Sequence, residues 1–87
     1  MKYERNPKAK IKEIGDDWAV YVPSTRAIHV LNPTARLVWD LTDEPVTAEE
    51  MAGAISSVTD AEEETVLADL REMLPEFVRD GILSEST

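Results

Sequence analysis

From Ala27 to Leu41 the chain reads Ala-Ile-His-Val-Leu-Asn-Pro-Thr-Ala-Arg-Leu-Val-Trp-Asp-Leu, and a strand pattern passes into a capped helix with no loop between them. Ile28 and Val30 alternate with Ala27 and His29, the period of a half-buried strand. Asn32 can then accept a backbone N–H as N-cap. Pro33 fits the first helical position, where its missing N–H would have no partner anyway. A strand that ends where a helix begins fixes one edge of a sheet against the helices that follow. If Ile28 and Val30 point into the core, His29 points outward.

Upstream, Ala9 to Ile14 reads as a first strand, stopped at Gly15-Asp16, a pair suited to a tight turn. Asp17 to Val22 is a second strand with Trp18, Val20 and Val22 on one face. Pro23-Ser24-Thr25 makes the next turn, and Arg26 to Leu31 is the third strand. The pattern predicts a three-stranded antiparallel sheet. Helix one covers Pro33 to about Leu41. Thr47-Ala48-Glu49-Glu50 has capping-box spacing and opens helix two, with Met51, Ala54, Ile55 and Val58 inward. Asp60 and Glu63 repeat that spacing at the start of helix three, which runs toward Gly81 as its left-handed terminator. Pro75 predicts a kink within it. Val66, Leu67, Leu70, Met73, Leu74, Phe77 and Val78 span an arc of about 140°, wider than the roughly 100° that one core contact needs. Part of that face is therefore available for a ligand, and Asp69, Glu72, Glu76 and Asp80 give it an acidic border. Ser84 to Thr87 are expected to fray.

At 87 residues the expectation is one small domain over 1–87, with a core of about 9–83. The hydrophobic fraction of 43% is that of a folded chain, and the net charge is -9. Residues 1–12 carry five basic side chains against one acidic, and residues 43–87 two against thirteen. A nucleic-acid binder needs lysines and arginines to neutralise phosphates, so this distribution argues against DNA and for a basic peptide. No apolar run approaches the roughly 18 residues of a membrane span, and the Lys-rich start lacks a signal-peptide core. The expectation is a cytoplasmic protein without a membrane partner.

Catalysis has little material. The chain has one histidine, no cysteine and no Gly-rich phosphate loop. Asp69, Glu72 and Glu76 recur at helical spacing, as carboxylates on a solvated helix face do. His29 with scattered carboxylates lacks the fixed offsets of a metal site. Trp18 and Trp39 read as core aromatics.

Three strands followed by three helices resemble the PqqD-like family. The residues that carry the likeness are Val30-Leu31-Asn32-Pro33-Thr34-Ala35 at the junction, Val38-Trp39-Asp40-Leu41, and Thr47-Ala48-Glu49-Glu50-Met51. Asp69-Leu70, Met73-Leu74, Phe77 and Gly81-Ile82-Leu83 follow in the family's order and spacing. The resemblance implies an α+β, winged helix-turn-helix-like fold that serves as a leader-peptide recognition element for ribosomally made, post-translationally modified peptides. In that family the leader of a precursor adds as a strand to the third strand and lies against the third helix. Carried onto this sequence, the peptide-binding residues are Arg26, Ala27, Ile28, His29 and Val30 on the strand. On the helix they are Val66, Asp69, Leu70, Met73, Leu74, Glu76 and Phe77. No catalytic residue, cofactor or metal is implied. The Leu-Asn-Pro-Thr-Ala wording is most similar to the stand-alone leader-binding proteins of lasso-peptide pathways, whose partner is a separate transglutaminase-like cysteine protease. Two alternatives stand beside this one: a PqqD-type peptide chaperone for a radical SAM enzyme, and an acidic winged-helix regulator. After helix one the chain reads Thr-Asp-Glu-Pro-Val, without the Asp-Gly turn common in the family.

Overall fold

The strand-to-helix junction forms as its capping chemistry requires. The computed structural model describes residues 1–86. In chain order its elements are β1 (Lys2–Arg5), β2 (Lys10–Ile14), β3 (Asp17–Val22), β4 (Ala27–Leu31), α1 (Pro33–Leu41), α2 (Ala48–Val58), α3 (Glu63–Arg79) and β5 (Leu83–Ser86). The three expected strands are β2, β3 and β4, which pair antiparallel in that order. Asn32 caps α1, its side-chain oxygen accepting from the Ala35 N–H at 2.8 Å. α1 and α2 together with the inner side of α3 bury Val38, Trp39, Met51, Ile55, Leu70 and Leu74 against Val20, Val22 and Leu31 of the sheet.

The capping box at α2 is closed in both directions. Thr47 Oγ1 accepts from the Glu50 N–H, and the Glu50 carboxylate accepts from the Thr47 N–H, each at 3.1 Å. The bonds from the Thr47 backbone and hydroxyl side of this box hold the Glu50 carboxyl below its ordinary value of 4.5. A depressed folded-state pKa means stability that is present above the unfolded value and lost as pH falls through the folded one. Glu50→Gln is therefore expected to destabilise the protein at neutral pH, with the gap to the parent closing once the medium is more acidic than 4.5. Chemical unfolding curves across that range would check this, and a gap independent of pH would contradict it.

The second capping expectation fails. α3 starts at Glu63 with Glu62 as N-cap and no side-chain cap bond, so Asp60 does not open it. The preceding turn is organised by Thr59 instead, whose hydroxyl donates to the Ile55 carbonyl at 2.9 Å and accepts from the Ala61 N–H at 3.3 Å. α3 runs through Pro75, which is exposed on its solvent side. It ends in paired bonds from the Gly81 N–H to the Val78 carbonyl and from the Ile82 N–H to the Phe77 carbonyl. Gly81 takes the left-handed conformation, φ +80, that this ending requires. In α2, Val58 is exposed rather than inward, and Ala52 is buried in its place.

The chain ends also depart from expectation. Ser84 to Ser86 do not fray: they belong to β5, which pairs antiparallel with β1 from Lys2 opposite Ser86 to Arg5 opposite Leu83. Thr87, the last residue of the expected tail, lies outside the described residues. Arg5 and Asn6 fasten this second sheet to the helices. The Arg5 side chain donates to the Trp39 carbonyl at 2.7 Å, and the Asn6 amide donates to the Gly81 carbonyl at 2.8 Å.

Candidate functional site

β4 is an edge strand, with β3 on one side and, among the described residues, no strand on the other. An antiparallel edge presents both N–H and C=O from every second residue, so this edge is a template for another strand. The faces of β4 are the reverse of the expected ones. Ile28 and Val30 are exposed, whereas Ala27 and His29 are half-buried and Leu31 is buried. Pairing explains the parity, because Leu31 lies opposite Trp18 and His29 opposite Val20, on the side of the sheet that covers the helices. His29 thus faces inward. Its Nδ1 lies 4.0 Å from an Asp80 carboxylate oxygen at the end of α3, and its Nε2 is buried without a hydrogen-bond partner among the described residues.

Between this end of the sheet and α3 lies an open groove of about 420 Å³. Asp69, Glu72, Met73, Glu76 and Phe77 form its helix side, and Val30, Asn32, Thr34 and Ala35 its junction side. The helix residues recur at spacings of three and four, which puts them on one stripe. Met73 and Phe77 supply half-buried apolar surface, while Asp69, Glu72 and Glu76 are exposed and no lining residue is basic. The groove can therefore take apolar anchors and favours cations beside them. Its lining holds three carboxylates and the Thr34 hydroxyl but no histidine, cysteine or lysine, and among the described residues no group of three or more His, Cys, Asp or Glu side chains could hold a metal ion.

Of the residues expected at the site, Val30, Asp69, Met73, Glu76 and Phe77 come together in the groove. Val66, Leu70 and Leu74 do not line it. They are 5%, 0% and 1% exposed, packed in the core on the adjacent stripe of α3. Ile28, which with Val30 projects from the sheet face away from the helices, does not line the groove, and Arg26 sits in the β3–β4 turn with a positive φ of 59. Both flank the open edge through their backbone. Asn32, Thr34 and Ala35 were not anticipated as lining residues, although the absence of a loop after Leu31 places them at the mouth of any groove beside β4. Trp39 is a core residue, and Trp18 stacks under Arg36 with the guanidinium carbon 3.9 Å from the ring centroid.

A three-stranded antiparallel sheet followed by three helices, with an open edge strand beside the last helix, defines a small α+β domain of winged helix-turn-helix-like form. Residues 17–83 match the family described as Coenzyme PQQ synthesis protein D (PqqD), and the chain belongs to that family. Its fold is similar to the solved structure described as TbiB1 in Complex with the TbiA(beta) Leader Peptide. The TM-score is 0.81 and the identity 21%, over 97% of this chain and 98% of that one. No curated protein sequence matches the chain. None of its helices, among the described residues, is long and apolar enough to cross a membrane.

Proposed function

We propose that this protein is a non-catalytic adaptor that binds the leader segment of a ribosomally synthesised precursor peptide as an added strand on β4. It then delivers the peptide to a separate maturation enzyme, the leader protease of a lasso-peptide pathway. The observation that carries this reading is the unpaired edge of β4 beside an apolar, acid-bordered groove on α3. Strand addition takes affinity from main-chain hydrogen bonds and selectivity from pockets for alternate side chains, and this edge and groove offer one of each. The backbone of Arg26 to Val30 pairs with the leader; Met73 and Phe77 receive its apolar anchors; Asp69 and Glu76 border them. Val66, Leu70 and Leu74 hold α3 in place from behind. Support also comes from the likeness in fold to a protein described with a bound leader peptide. A second reading, in line with membership of the PqqD family, is a peptide chaperone for a radical SAM enzyme.

A synthetic peptide spanning the leader of a cognate precursor is expected to bind with micromolar affinity or better. A scrambled peptide of the same composition is expected not to bind. The acidic border adds a salt-dependent component. Exposed ion pairs are worth about 0–1 kcal/mol and are screened at high salt. Asp69→Asn and Glu76→Gln are accordingly expected to slow association of a Lys- or Arg-bearing leader by up to about fivefold at low salt and to leave it unchanged at high salt. Stopped-flow association rates check this, and rates equal to the parent at low salt would reduce the border to a solvated helix face.

A further inference from the structure

Among the described residues, the depression on the second face of the sheet β2-β3-β4 is lined by residues of that sheet alone. Lys12 lies opposite Ala19 and Ala19 opposite Val30, while Lys10 lies opposite Tyr21 and Tyr21 opposite Ile28, so these residues share one side. Water-facing sides of antiparallel sheets are ordinarily polar. Here Ile14, Ile28 and Val30 are 54%, 62% and 69% exposed, and a shallow depression of about 220 Å³ lies between Ile14, Tyr21 and Ile28 over Ala19. Scattered exposed apolar residues need no explanation, but a contiguous patch marks an interaction surface.

The charge around the patch selects the occupant. The whole chain carries -9, yet the cations Lys10 and Lys12 stand on this face, and Asp17 at the end of β3 is the one acidic residue in its rows. Two lysines are too few to hold a nucleic-acid backbone. They complement an apolar protein surface bordered by Asp and Glu. The groove on α3 has the opposite sign, with three carboxylates. The two surfaces meet at β4, whose Ile28 and Val30 project from the patch side, and they differ in the sign of charge that they favour in a partner.

The geometry points to this outer sheet face as the surface on which the maturation enzyme docks, through an apolar patch of its own flanked by acidic side chains. The inference rests on the adaptor reading, but its residues can be altered without touching the peptide groove. Ile14 and Lys12 lie on β2, the opposite edge of the sheet from β4, and both are exposed, so Ile14→Glu and Lys12→Glu are expected to fold.

The test titrates the purified cognate leader protease into parent and variant proteins, and separately titrates the synthetic leader peptide into each. The expected result is at least a tenfold loss of enzyme affinity in both variants, with leader affinity within twofold of the parent. Enzyme affinity unchanged in Lys12→Glu, or no enzyme binding by the parent, overturns the proposal. A parent that binds enzyme but not leader overturns the adaptor reading, and a loss of enzyme binding in the variants still supports the docking face. Sedimentation provides two further outcomes against it: a parent dimer that Ile14→Glu dissociates, which assigns the face to a second copy, or parent binding to phosphatidylcholine–phosphatidylglycerol vesicles lost in Ile14→Glu, which assigns it to a membrane surface.

Discussion

Leu70→Ala is expected to cost about 2–5 kcal/mol of folding stability, the range for truncating a buried leucine. Leu70 is 0% exposed and packs in the core beneath the groove. The loss combines removal of apolar atoms from a dry environment with a cavity that the three helices and the sheet can only partly close. In a domain of this size each kcal/mol moves Tm by roughly 4–8 °C, so the effect is large in a thermal melt. If Leu70 were instead a groove residue, its truncation would leave the melt nearly unchanged and act on peptide affinity. A Tm within a few degrees of the parent would therefore contradict the division of α3 into a core stripe and a groove stripe.

Met73→Ala is expected to show the converse pattern. Met73 is half-buried at the groove surface one position along from the acidic border, and packs against the core by one side only. Truncating a central anchor contact of an interface costs about 2 kcal/mol or more, close to a thirtyfold loss of affinity. The folded state loses much less, because part of the side chain already faces water. Calorimetric titration with the leader peptide, paired with a melt of the same variant, separates the two effects. Unchanged affinity in a folded Met73→Ala protein would remove this side chain from the site. Phe77→Ala is expected to combine both losses, since its ring is half-buried and contributes to both groove and core.

How far the sequence could be read depended on the range of each signal. The Asn32-Pro33 junction and the Thr47–Glu50 box were legible because each is closed by atoms within three residues of one another. The same spacing at Asp60 misled, since Thr59 competes locally for the backbone groups of that turn. β1 and β5 escaped because Lys-Tyr-Glu-Arg and Leu-Ser-Glu-Ser carry no strong strand pattern, and their pairing joins opposite ends of the chain. At β4 the alternation was clear but its direction was not. A period of two defines two faces, and a one-residue shift exchanges them. The more apolar pair, Ile28 and Val30, turned outward because Leu31 and its partner Trp18 fix the register against the helices. That inversion also gives the outer face its exposed apolar surface. On α3 the wide arc correctly signalled more surface than the core needs. Separating Val66, Leu70 and Leu74 from Met73 and Phe77 required knowing which stripe the sheet covers.

Pairing of a leader peptide with the free edge of β4 is read from backbone amide shifts. Isotope-labelled protein titrated with the synthetic leader should shift the amides of Arg26 to Val30 first and most, followed by those of Asp69 to Phe77. At saturation, the β4 amides that point to the open edge should gain protection from hydrogen exchange. Shifts confined to α1 and α2, with β4 exchange unchanged at saturating peptide, would rule out strand addition at β4.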